Sequence, residues 1–209
     1  MNLLTPPPDS PAPRLYLASA SPRRAELLHQ IGLPHRVLNV PAPDGEDEPQ
    51  HPGEAAEDYV RRTAREKAER GEQYRRQQGL PPLPLLAADT TVILQGVVLG
   101  KPRNAAEAQS MLRRLSGREH QVHTAVVLYA GDGLREAVSA TIVRMRPLED
   151  GDINRYIASG EPFGKAGAYG IQGLASTFIA HISGSYSGVM GLPLYETADL
   201  LRQTGIHLP

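Results

Sequence analysis

Ser21, Pro22, Arg23 and Arg24 follow a short apolar run, Leu15 to Ala18, and lead into a helical stretch, Ala25 to Ile31. Ser21 suits a helix N-cap, and Pro22 suits the first turn, where its missing N–H costs nothing. The free N–H groups and positive dipole end of such a helix face whatever lies beyond the strand. Two arginines in that turn add planar, bidentate donors fitted to phosphate oxygens. The same residues also describe a well-capped helix with a solvated arginine pair, and this segment alone does not choose. Asp89 follows another apolar run, Leu85-Leu86-Ala87-Ala88, and precedes a further β-favouring stretch. A carboxylate at the carboxyl end of a buried strand must be answered by a metal, a cation or several hydrogen bonds. Ligands of open α/β sheets gather beyond such strand ends. The structural alternative is a turn capped through the Thr90 and Thr91 N–H groups.

Other candidate residues are weaker singly. Asp44, Glu46, Asp47 and Glu48 sit in a loop from Pro41 to Pro52 and offer oxygen ligands of the kind Mg²⁺ or Mn²⁺ takes; most such clusters are solvated loop charge. Lys67 shares a helical stripe with Ala56, Val60, Thr63 and Ala64, so it either snorkels or serves a buried anion. Arg61, Arg62, Arg65, Glu66, Glu69 and Arg70 fall largely off that stripe. Gly96 to Pro102 imitates a Walker loop but has its glycines one residue too close and Pro102 where a hydroxyl is needed. Lys101 remains a phosphate cation at a strand end. Gly167 to Gly173 lacks the dinucleotide spacing; its glycines let backbone amides approach a ligand, with Lys165 and Gln172 beside them. His120 and His123 are three apart in a strand, on opposite faces, which is poor geometry for a shared metal.

The elements that must position these residues alternate, as in an α/β or α+β fold. After the first strand and helix, His35 to Val40 is extended and a long helix spans about Glu54 to Gly71. Leu85 to Ala88 is a buried strand, and Thr91 to Leu94 with Val97 to Leu99 form a hairpin at Gln95-Gly96. Asn104, with Glu107 three residues on, opens a helix that Gly117 closes. Two long strands, Gln121 to Tyr129 and Arg135 to Met145, precede a short helix closed by Gly160. A glycine-rich stretch then runs to Gly191, and Pro193 to Gln203 forms a terminal helix.

Composition sets the bounds. The 209 residues suit residues 1–13 as an extended leader and 14–209 as one domain. A net charge of −1 gives no global basic field for long nucleic acid. The absence of cysteine removes disulfides and thiolate chemistry. No apolar run reaches the roughly 20 residues a membrane span needs, and no signal peptide is evident, so a cytoplasmic protein is expected.

Taken together, these segments resemble the Maf family of nucleoside triphosphate pyrophosphatases. The matching text is Leu17-Ala-Ser-Ala-Ser-Pro-Arg-Arg24, Glu66-Lys67-Ala68, Ala88-Asp89-Thr90, Gly100-Lys101-Pro102 and Lys165-Ala-Gly-Ala-Tyr-Gly-Ile-Gln-Gly173, completed by Gly184-Ser185-Tyr186 and Gly191-Leu192-Pro193-Leu194. The resemblance covers nearly everything from Leu15 to the terminal helix. It implies an α/β fold with an elongated mixed sheet flanked by helices and two lobes around a cleft, similar to inosine triphosphatases. It also implies cleavage of a nucleoside triphosphate between the α and β phosphates, releasing a monophosphate and pyrophosphate with a divalent metal cation, Mg²⁺ or Mn²⁺.

Carried over by motif, Asp89 matches the family's proton acceptor and metal residue, and Glu48 its other acidic metal-site residue. Arg23, Arg24, Lys67 and Lys101 match the phosphate-binding cations, with Ser19 and Lys165 as further substrate contacts. Arg23, Thr90 and Gln172 match positions that mark a branch preferring dTTP and UTP; a sister branch handles 7-methyl-GTP. Gly164 stands where many relatives have aspartate, and the loop from Val40 to Glu46 is longer than usual. The implied partner is the nucleoside triphosphate, with neither long nucleic acid nor membrane; a homodimer is left open. Two alternatives stand beside this reading: a nucleotide-responsive regulator of cell division or septum formation, and a 7-methyl-GTP pyrophosphatase.

Overall fold

The computed structural model describes residues 12–43, 48–131 and 133–208. Most of the expected leader, and Asp44, Glu46 and Asp47 of the acidic loop, lie outside the described residues. In chain order the elements are β1 (Leu15–Leu17), α1 (Pro22–Gln30), β2 (His35–Val37), α2 (Ala56–Gln77), β3 (Leu85–Leu94), β4 (Val97–Leu99) and α3 (Ala105–Leu115). There follow β5 (Glu119–Ala130), β6 (Gly133–Met145), α4 (Asp150–Ala158), β7 (Ile179–Ser183), α5 (Tyr186–Met190) and α6 (Leu194–Arg202).

Seven strands make one mixed sheet in the order β2-β1-β3-β5-β6-β7, with β4 paired to β3. Only β1 runs parallel to its neighbours, β2 and β3; the other pairings are antiparallel. This is the elongated, helix-flanked mixed sheet that the resemblance implies. Leu15, Leu17, Leu86 and Leu128 pack with α1 and α6 on one face, and Ala87, Ala125 and Val127 pack under Val60, Ala64 and Ala68 of α2 on the other. A separate core of Val92, Leu94, Leu112, Leu115, Ile153 and Phe178 fills the far end beneath α3 and α4. The two ends form the lobes.

Two expectations change. Asp89 lies in the middle of a ten-residue strand, not at a strand's end, because β3 continues unbroken through it to Leu94. Aspartate's low strand preference reads as a break, yet pairing of Asp89 with Ala125 and Thr90 with Thr124 keeps the ladder intact. The carboxyl end that matters is that of β1. It stops at Leu17, level with Leu86, while β3 runs on without β1 on that side, leaving a trough beside Asp89 and Thr90. Helix α2 extends past Gly71 to Gln77. The glycine-rich segment, for which the sequence assigned no element, contains β7 and α5, whose short glycine-interrupted spans carry no clear periodicity.

Candidate active site

The alternation of a strand decides what each β3 side chain meets. Asp89 points toward α2, and Thr90 toward α1 on the opposite face. Asp89 is buried; its Oδ2 accepts the Thr63 hydroxyl at 2.8 Å and its Oδ1 the Lys67 ammonium at 2.6 Å. Lys67 also pairs with Glu48 Oε1, while Glu48 Oε2 accepts Lys101 Nζ at 3.3 Å. Burial pushes the Glu48 pKa up, but the charge and hydrogen bond of Lys67, with those of Lys101, hold it below the usual carboxylate range. The helical stripe thus delivers Lys67 inward to two carboxylates rather than letting it snorkel.

The helix start does its part through backbone. Ser21 is the N-cap residue of α1 and Pro22 sits in the first turn, but the Ser21 hydroxyl makes no cap bond. Its N–H instead donates to Ser19 Oγ at 3.2 Å. Arg24 donates to the Gly191 carbonyl at 2.7 Å, to Ser19 Oγ at 3.0 Å and to Thr90 Oγ1 at 3.3 Å, all uncharged acceptors. Burial lowers its pKa against the pull of Asp89 and Glu48. Arg23 donates to the Met190 carbonyl at 3.3 Å. The two arginines therefore pin α1 to the turn after α5 while bordering the trough.

A cavity of about 460 Å³ results, within the usual range of small-ligand sites. Ser19, Arg23, Arg24, Glu48, Lys67, Asp89, Thr90, Lys101 and Lys165 all line it. Gln172 does not. It is exposed on the turn closed by the Gly173 N–H and the Gly170 carbonyl, because neighbouring Ile171 is the residue turned into the core. Arg70 and Tyr169 line the cavity without having been singled out. Arg70 stands three residues beyond Lys67, beside the stripe rather than on it. Gly167, with φ +65°, lets its segment press on Val92, where a Cβ would come within 2.8 Å. Burial and Arg23 lower the Lys165 pKa, with Glu161 opposing.

Six basic side chains line the cavity against two acidic ones, a surplus of four positive charges in a chain of net charge −1. A cleft of this sign concentrates field on a polyanion. The donor set also suits a hard cation. Two carboxylates converge on one ammonium, itself a cation held where carboxylate oxygens meet, and oxygen donors are what Mg²⁺ and Mn²⁺ take. Among the described residues no group of three His, Cys, Asp or Glu side chains gathers for a metal. One or two protein carboxylates are the usual share for Mg²⁺.

Fold and site together define an α/β protein with a cation-lined cleft around a pair of carboxylates, suited to a phosphate-bearing ligand. The chain belongs to the Maf family: the model described as Maf-like protein matches residues 14–204. It is 71% identical over 197 residues to the dTTP/UTP pyrophosphatase of Bordetella parapertussis, covering 94% of this chain and 95% of that protein. Against the dTTP/UTP pyrophosphatase of Ralstonia nicotianae it is 54% identical over 208 residues, covering 97% and 99%. The solved Staphylococcus aureus Ham1 protein matches at 15% identity and a TM-score of 0.41, over 63% of this chain and 71% of that one, too slight a likeness to weigh.

Proposed function

We propose that this chain hydrolyses nucleoside triphosphates, dTTP and UTP best, to the monophosphate and pyrophosphate, and that residues from 14 onward form one catalytic domain. The observation that carries the reading is the surplus of four positive charges around Asp89 and Glu48 in one cavity. The dTTP/UTP pyrophosphatase names of close relatives support the choice of substrate.

In this reading Arg23, Arg24, Lys67, Arg70, Lys101 and Lys165 bind the phosphates and offset the charge that develops on the leaving pyrophosphate. Asp89, held by Thr63 and Lys67, orients a water molecule and accepts its proton. The water oxygen bonds to the α-phosphorus as the bridge to the β-phosphate breaks, and pyrophosphate carries away the bridging oxygen. Asp89 and Glu48 would hold a divalent cation, which when bound supplies charge neutralisation on the phosphates. Ser19 and Thr90 keep Arg24 in place. The triphosphate fills the cavity and the base extends to its rim, where Gln172 meets the O4 and N3–H edge shared by uracil and thymine. Among the described residues no helix is long and apolar enough to cross a membrane.

The test scores pyrophosphate released from dTTP, UTP, CTP, GTP and 7-methyl-GTP. dTTP and UTP should lead, with CTP behind and 7-methyl-GTP hardly cleaved. An exposed amide loses less on mispairing than a buried one, so Gln172→Ala should narrow the dTTP-to-CTP ratio by about three- to tenfold, or ~0.7–1.4 kcal/mol. A preference for 7-methyl-GTP would overturn the substrate reading. Binding without turnover would favour a nucleotide-responsive regulator.

A further inference from the structure

Glu161 lies behind the Lys165 side of the cavity and does not line it. Its carboxylate accepts the Tyr156 hydroxyl at 3.0 Å, the Leu174 N–H at 2.8 Å and the Ala175 N–H at 3.4 Å. The same tyrosine oxygen accepts the Gly170 N–H at 3.3 Å, and the Glu161 main-chain carbonyl accepts the Lys165 ammonium. One residue is therefore tied to Lys165 and to both ends of the segment that carries Gln172.

Two glycines make the arrangement possible. A Cβ on Gly173 would fall 2.4 Å from the Glu161 carboxylate carbon and both its oxygens. A Cβ on Gly170 would fall 2.9 Å from Lys165 Cε. The backbone of the turn lies directly against the carboxylate and the lysine stem, so a shift of either moves the other. An ammonium has three donors, so Lys165 keeps donors for an anion while one is spent on the Glu161 carbonyl. A lysine already held in one rotamer loses less freedom when that anion arrives.

We propose that Glu161 is a positioning residue of the substrate site: its carboxylate, with the Tyr156 hydroxyl, fixes the turn from Gly170 to Ala175, and the Gly170 backbone, packed on the Lys165 stem, presets that lysine against the cavity. This rests on the pyrophosphatase reading above. Such a residue acts on substrate binding, not on the water or the leaving group, and it acts through Lys165.

The experiment measures kcat and KM for dTTP in the parent, Glu161→Ala, Glu161→Gln, Lys165→Ala and the double variant. Glu161→Ala keeps the main-chain carbonyl that accepts Lys165 but releases the turn that packs on the lysine stem, so it should raise KM about tenfold, the size of one charge-assisted contact between Lys165 and substrate, and leave kcat within about twofold. Glu161→Gln, whose amide oxygen still accepts a main-chain N–H, should recover part of that loss. In the Lys165→Ala background the same Glu161→Ala change should add less than about threefold, because the Glu161 carboxylate reaches the substrate only through the turn that positions Lys165. Should Glu161→Ala fail to fold, Tyr156→Phe removes only the hydroxyl and should raise KM in the same direction by about threefold. The proposal is overturned by full multiplication of the two effects, or by a lower melting temperature with KM unchanged. If the parent releases no pyrophosphate, the pyrophosphatase reading fails instead. The Glu161 proposal is then decided by calorimetric binding of dTTP, where Kd must show the same tenfold loss and the same non-additivity.

Discussion

Asp89 has both carboxylate oxygens engaged, one by a neutral hydroxyl and one by an ammonium, so its orientation is fixed before any ligand arrives. That is what a positioned base needs, since freedom removed in advance is not lost at the moment of reaction. Lys67 is shared with Glu48, so a change at Asp89 does not strand the ammonium. Asp89→Asn keeps the size of the side chain but takes away the proton acceptor. The variant should retain the parent's circular dichroism, with turnover of dTTP at saturating Mg²⁺ falling about 10²–10⁴-fold. Turnover close to the parent's would return Asp89 to a purely structural place in the sheet. Arg24 illustrates a different economy. Its three uncharged acceptors hold the guanidinium in place without neutralising it, so its charge is still there for an anion.

Helix α2 sets the height of Lys67 and Thr63 above Asp89, and Gly71 sets how closely α2 lies on the sheet. A Cβ at Gly71 would stand 2.8 Å from Ala18 Cβ and 3.0 Å from Leu85 Cδ1. The leucine tip can turn away, but Ala18 has nothing to move except its backbone. Glycine to alanine inside a helix ordinarily stabilises by roughly 0.5–1 kcal/mol, whereas overpacking of a core costs about 1–3 kcal/mol. Overpacking should win: Gly71→Ala should lower the urea midpoint and also slow turnover, since α2 must lift away from Asp89. A gain in stability with unchanged turnover would show that the sheet yields instead. The stripe on α2 was readable because burial there follows helical periodicity, and it delivered Lys67. It did not deliver Arg70, whose long side chain reaches the cavity from beside the stripe. Strand–turn–helix geometry around Ser21 was readable from local backbone preference, but the end of β3 was not. The partners that let an aspartate sit mid-strand come from 22 and 26 residues away. For β7 and α5 the sequence offers short spans broken by glycine, and only pairing with β6 and packing across the sheet define them.

Across the whole molecule, the groups that respond to acid are separated by pH window. His120 of β5 is buried, with Nε2 2.7 Å from the Tyr169 hydroxyl and no partner for Nδ1 among the described residues. A second proton on that ring would sit in the apolar core at the far end of the sheet. Burial accordingly pulls its pKa down to about 4 from an ordinary 6.5. The sign follows directly. As pH falls below 6.5 the unfolded chain takes up the proton first, so stability is lost progressively until the folded histidine titrates near 4. The gap corresponds to about 3 kcal/mol. His123 is lowered in the same direction by burial, with Glu57 opposing. Glu48 and the arginine-paired Glu54, Glu72 and Glu136 have depressed folded pKa values, so their contribution is complete above about 4.5 and fades only below it. Between pH 6.5 and 5, therefore, His120 and His123 rather than these carboxylates should set the slope. His120→Gln can still meet the Tyr169 hydroxyl but cannot titrate. Urea unfolding of the parent should weaken steadily from pH 7 to 5, and His120→Gln should flatten most of that decline. If the two proteins lose stability in parallel, His120 is protonated within the fold at ordinary acidity, and the core around Tyr169 is wetter than its burial implies.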